Sequence, residues 1–196
     1  MQSQEVSRAR STSSTKAKAK RKGRGKERIR WGLKPLHPQY IIGFIDGEGS
    51  FSVSIYYDEK MKDKIFIRPV LEIELRADDR KILERIQRTL RCGIIFECKY
   101  ERYGWYPHMK YRINRFDEVT GILIPFLEKY PLQAKKAEVF KYFKKIVQKR
   151  MKGEHLTKKG VREIIELRRK IRALGKKHPS KTARVRENRL LSGVRR

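Results

Sequence analysis

Residues 40–55, YIIGFIDGEGSFSVSI, decide the fold. Their first half is apolar, with Gly43 and Gly47 four residues apart and therefore on one side of a helical turn. Their second half alternates: Phe51, Val53 and Ile55 fall on one face, Ser50, Ser52 and Ser54 on the other. The spacing predicts a helix over residues 38–48, opened by Pro38 in its first turn, that runs directly into a strand. Glu48 then stands at a helix C-terminus, whose partial negative charge disfavours a carboxylate unless a cation compensates it.

The glycines cost the helix about 0.5–1 kcal/mol each relative to alanine. Their use is close approach of another backbone. Ile41, Ile42, Phe44 and Ile45 make the rest of the helix apolar nearly all round, and the chain contains this segment once. Such a helix pairs with the same helix of a second copy, with Ile42, Gly43, Asp46 and Gly47 at the interface. The two-fold axis would bring two Glu48 side chains together. Paired carboxylates need a hard divalent cation, and Mg2+ with oxygen ligands suits that role. The competing reading leaves Glu48 exposed in a plain GEG turn. Asp46 suits a structural role, capping or bonding loop amides, better than metal ligation.

The pattern continues on both sides of this segment. IFIRPVLEIEL returns as a second strand, with Leu71, Ile73 and Leu75 inward and Arg68, Glu72 and Glu74 outward. Asp78 or Asp79 is expected to cap a helix carrying Ile82, Leu83, Ile86 and Leu90 at helical spacing. GIIFECKY and PHMKYRINRF read as strands joined by ERYGWY, and DEVTGILIPFLEKY as a helix. Residues 132–150 and 157–174 read as two further basic helices. The order is α-β-β-α-β-β-α plus extra C-terminal helices, which defines an α+β domain with helices gathered on one face of an antiparallel sheet.

Charge points to the partner. The 51 Lys and Arg against 22 Asp and Glu leave +29. Residues 1–30 carry 11 basic and 2 acidic groups, residues 31–175 carry 32 and 19, and residues 176–196 carry 8 and 1. The first segment reads as a disordered basic arm and the last as a basic tail, flanking a core over 31–150 and an additional basic helix over 151–175. The arm also suits an organellar transit peptide, although lysine outnumbers arginine in its basic cluster. A positive folded part implies a polyanionic partner, nucleic acid first. The uncovered sheet face, with Ser52, Ser54, Tyr56 and Arg68, would lie along a duplex; a strand of about 8 residues spans about 26 Å, or about 7–8 base pairs. No apolar run approaches the ~20 residues of a membrane span, so a soluble, intracellular protein with no membrane partner is expected. Cys92 and Cys98 match no zinc spacing and read as reduced thiols.

The nine residues IIGFIDGEG, Ile41 to Gly49, resemble the motif of the LAGLIDADG homing endonucleases. Isoleucines replace its first two residues conservatively, while the glycine, aspartate and acid positions match. The resemblance extends to about Lys149 through LRADDRKILERIQRTL and IPFLEKYPLQAKKAEVFKYFKKIV. It implies an αββαββα core, a saddle-shaped sheet in the DNA major groove, and motif helices at a dimer interface. Members with one motif act as homodimers on long, nearly palindromic sites. The acid at Glu48 would then ligate the catalytic metal, Mg2+ with Mn2+ as a substitute, assisted by the Gly47 carbonyl. A basic residue near the end of the fourth strand would approach the scissile phosphate: Lys110, Arg112 or Arg115, with Arg115 assigned the catalytic role and Lys110 and Arg112 DNA contacts. Where family members place a water-positioning polar residue at the end of the second strand, this chain has Leu75; Arg76, Asp78 and Arg80 are the substitutes nearby.

The resemblance implies a metal-dependent, site-specific endonuclease making a double-strand break, located in a prokaryotic cytoplasm or an organelle. Two alternatives share the fold. One is a maturase holding a group I intron RNA. The other is a sequence-specific binding protein that no longer cuts.

Overall fold

The computed structural model describes residues 33–58, 64–98, 100 and 106–175. The basic arm, the basic tail and most of the ERYGWY connection lie outside the described residues. Helix α1 (Pro38–Glu48) matches the expected span, with Pro38 at its start and the His37 ring accepting from the Gln39 amide. It passes straight into β1 (Gly49–Asp58). A side chain at Gly49 would meet the Ile45 carbonyl at 2.6 Å, so only glycine permits this exit from helix to strand.

Strand β2 (Lys64–Arg76) returns beside β1, pairing Gly49 with Ile73 and Ile55 with Ile67. Helix α2 (Arg80–Leu90) follows, then β3 (Ile94–Cys98) and β4 (His108–Ile113). The antiparallel sheet has the order β1-β2-β4-β3, with Ile73 facing Tyr111 and Tyr111 facing Ile95. The alternation read from the sequence holds. Phe51, Val53, Leu71 and Ile73 are buried, Ser52 and Ser54 are exposed, and Leu75 is half-buried against the core.

Two details differ from expectation. Asp79 occupies the position before α2 but makes no capping bond, and Asp78 is held instead by Arg76 at 2.8 Å. The helix expected from residue 132 begins at Lys136, because the Gln133 and Ala134 amides are committed to the Asp46 carboxylate.

After β4 the chain runs through α3 (Phe116–Glu118), a π-helical stretch Val119–Leu123 and α4 (Ile124–Lys129). Pro125 lacks the amide that would bond one turn back, which accounts for the widened turn ahead of it. Helix α5 (Lys136–Met151) packs on the inward face of β1, with Phe143 and Phe140 against Phe51 at centroid distances of 5.2 and 5.7 Å. Helix α6 (Lys158–Leu174) is capped by Thr157, whose hydroxyl accepts from the Gly160 amide at 3.0 Å. Its Val161, Ile164, Ile165 and Ile171 join the same core as the sheet and α5.

Strand β2 is longer than β4, and pairs with it only from Leu71 onward. Pro69, opposite Val53 of β1, lies in the part of β2 that has no β4 neighbour, so on that side no donor is needed. There the Arg150 guanidinium, seated over the Phe116 ring at 3.7 Å, donates to the Ile67 carbonyl.

Candidate catalytic site and nucleic-acid face

The C-terminus of α1 is met by the N-terminus of α5. Asp46 Oδ2 accepts from the amides of Gln133 at 2.7 Å and Ala134 at 3.2 Å, in the loop entering α5. The Lys136 ammonium donates to the carbonyls of Gly47 at 2.6 Å and Asp46 at 2.8 Å. A cation at the carboxyl end of a helix answers the electrostatic problem posed by Glu48, and here it is a lysine 88 residues further along the chain. Burial pushes the Lys136 ammonium below the usual lysine range, with the Glu48 and Asp46 carboxylates pulling the other way. Glu48 itself is exposed.

Sequence reasoning missed Lys136. The signal was present, since a pair of lysines opening a helix is as unfavourable as an acid closing one. The two misplaced charges compensate each other.

The other expected residues are distributed as follows. Gly43 and Gly47 lie on the exposed side of α1, where an added side chain would meet none of the described residues within 4 Å. Tyr40, 52% exposed, stacks beside them on Phe44 at 6.1 Å. Ile42, expected at an interface with a second copy, is instead 2% exposed within the chain's own core. Asp46, also expected there, is taken up by the loop amides of its own chain, although its Oδ1 is buried with no partner among the described residues.

Arg115 does not approach the α1 terminus through any bond the structure shows. It is exposed beyond β4, held by Asp117 at 2.6 Å and Glu118 at 3.7 Å. In register, Gly49 aligns with Ile73 and Tyr111, so Lys110 is one step toward Glu48 while Arg112 and Arg115 run away from it. The side-chain cation at the Gly47 carbonyl is Lys136.

On the outward sheet face, Ser52, Ser54 and Tyr56 are exposed. Arg68 donates to the Tyr56 hydroxyl at 2.9 Å, and Tyr56 stacks on Phe66 at 5.4 Å. Glu72 and Glu74 face outward as the alternation requires, and each is paired across the strand. Glu72 binds the Arg112 guanidinium, and Glu74 binds Lys110 at 2.9 Å. Burial works against the Glu74 charge, but the Lys110 ammonium and the Tyr100 hydroxyl hold its carboxyl below the usual range. Lys110 is raised in turn, because Glu74 outweighs its desolvation. A cleft of about 550 Å³ runs along the edge strand β1, from Asp46 and Lys136 past Ser50, Ser52 and Ser54 to Arg172.

A helix ending in acid and carbonyl oxygens leads into a four-stranded open antiparallel sheet with a polar outward face and helices behind it. The family model described as LAGLIDADG endonuclease matches residues 41–147, and the chain belongs to that family. It is 31% identical over 134 residues to Probable intron-encoded endonuclease 2 of Neurospora crassa, a match covering 68% of this chain and 28% of that protein. The structure of the homing endonuclease I-TnaI superimposes with a TM-score of 0.67 at 27% identity, covering 83% of this chain and all of that one. I-SmaMI bound to its uncleaved DNA target in the presence of calcium ions gives 0.66 at 27% identity, covering 76% of this chain and 48% of that one. The chain thus spans little more than a quarter of the Neurospora relative and about half of I-SmaMI. Among the described residues no helix is long and apolar enough to cross a membrane.

Proposed function

We propose that the protein is a site-specific, divalent-metal-dependent DNA endonuclease that makes a double-strand break as a homodimer on a long, nearly palindromic site. One observation carries this reading: the exposed Glu48 carboxylate, the Gly47 carbonyl and the Lys136 ammonium meet at the end of α1, where the sheet begins.

The oxygens there suit a hard cation. Glu48 and the Gly47 carbonyl would hold Mg2+, with Mn2+ as a substitute; among the described residues no cluster of three or more side-chain ligands exists, so water, phosphate or a second copy completes the shell. Bound there, the ion supplies Lewis-acid stabilisation of the scissile phosphate and lowers the pKa of a coordinated water. Lys136 adds positive charge at the same point. Its place at the Gly47 carbonyl suits it to pass a proton to the leaving oxygen or to neutralise the developing charge. Ser52, Ser54, Tyr56 and Arg68 would lie against the duplex, with Lys110 and Arg112 held in place by their glutamates.

Dimerisation is supported by the exposed Gly43 and Gly47 with Tyr40 and Phe44 beside them, and by the half-length match to a DNA-bound relative. Selection of cleaved sites from a randomised plasmid library tests the reading. Wild-type protein with Mg2+ is expected to yield one recurrent site cut in both strands, and Glu48→Gln to bind that site without cutting it. Tight, specific binding with no nick under Mg2+ or Mn2+ would overturn nuclease function.

A further inference from the structure

Charge is unevenly distributed over the fold. Residues 31–134, which supply α1, the whole sheet and α2 to α4, carry 17 basic and 15 acidic side chains. Residues 135–175, which supply α5 and α6, carry 15 and 4. The outward sheet face neutralises Arg112 with Glu72 and Lys110 with Glu74. The excess of positive charge is thus carried by α5 and α6 rather than by the strands, although Lys135, Lys136, Arg168 and Arg172 line the cleft along β1 and Lys144 is paired with Glu128.

Helix α5 buries Phe143, Ile146 and Val147 toward the sheet. Lys141 and Lys145, one turn apart, are exposed on its other side. Lys145, Lys152 and Lys170 line an open groove of about 380 Å³ between α5 and α6. Lys149 in that groove is satisfied by Glu154 and Glu163, which leaves Glu166 as the remaining carboxylate along it. On α6, Lys159 and Arg162 extend the exposed basic surface.

We propose that this helical face is a second docking surface for double-stranded DNA, holding a segment other than the one on the sheet. Lysines on flexible stems meet phosphates as point charges without reading bases. Single strands and RNA loops are gripped by stacking their bases on aromatic platforms. No aromatic ring of α5 or α6 is exposed among the described residues, and the Tyr142 ring carries the Lys170 ammonium at 5.6 Å. The evenly spaced phosphates of a duplex are the partner that fits. A protein with DNA on both faces can bridge two segments and pass from one to the other without dissociating.

The test uses the full chain and two 20-bp duplexes of arbitrary sequence, one donor-labelled and one acceptor-labelled, so it does not depend on cleavage. Wild-type protein is expected to bring the two together and produce energy transfer. The quadruple variant Lys141→Ala, Lys145→Ala, Lys152→Ala, Lys170→Ala, with an unchanged melting temperature, should lose that transfer. Its slope of log affinity against log salt should flatten by about 3–4, near 0.9 per phosphate contact. Lys81→Ala, an exposed lysine on α2, should leave the bridging intact. Undiminished transfer in the quadruple variant overturns the proposal, and so does a variant that loses binding of duplex RNA alone while still bridging DNA.

Discussion

Lys136 and Glu48 each occupy the helix end that electrostatics disfavours, and each is tolerated because of the other. The expectation is specific. Lys136→Met should leave target affinity within a few fold and lower the cleavage rate on the order of 10²-fold, the size of effect that a positioned proton donor or charge-stabilising donor supplies; single-turnover cleavage beside an equilibrium binding curve separates the two. Stability carries a second signature. Burial holds the folded-state pKa of Lys136 below its ordinary value of 10.5, so the folded chain binds this proton more weakly than the unfolded one. Wild-type stability relative to Lys136→Met should therefore rise as pH climbs through the folded-state value toward 10.5, and fall as pH drops, measured by urea unfolding across the alkaline range. Glu48 and Gly47 were legible because one contiguous motif holds them. Lys136 was not, because its place depends on the Pro131 loop and the Asp46 bonds folding α5 back onto α1.

Elements were more legible than residues. Strict alternation in β1 and β2 identified the inward and outward faces, including Glu72 and Glu74, since a slip of one residue would have buried every serine of β1. The neutralising partners of those glutamates were hidden, because they depend on β4 lying beside β2 rather than beside β1. The start of α5 was misjudged for the same kind of reason: a loop held by a distant aspartate looks helical when read alone. Helix α6 rests on one tight point. A side chain at Gly160 would meet the Glu154 carbonyl at 1.9 Å, with no flexible neighbour to yield. Gly160→Ala is expected to cost about 2–3 kcal/mol despite better helix propensity, read as a lower midpoint in chemical denaturation. A gain in stability would show that the turn before α6 relaxes freely.

At the scale of the whole molecule, α1 divides its residues between two jobs. Ile41, Ile42 and Ile45 belong to the monomer core, and Gly43 and Gly47 open onto empty space. The sequence showed that the helix was apolar nearly all round but not which apolar residues the chain itself would claim. This division allows a clean separation of folding from assembly. Gly43→Leu should fold as wild type does, yet sediment as a monomer and lose double-strand cleavage. A dimer that persists in analytical ultracentrifugation would move the interface elsewhere on the molecule.

The Arg150 contact with Ile67 has a consequence for how the chain is made. The two residues are 83 positions apart, and during synthesis the earlier elements leave the ribosome first. Until α5 emerges, the part of β2 that overhangs β4 presents an unanswered Ile67 carbonyl and the side chains of Ile65 and Ile67 to any extended peptide nearby. The nascent chain is thus most prone to association in the interval between those two events, and slowing translation there lengthens its exposure.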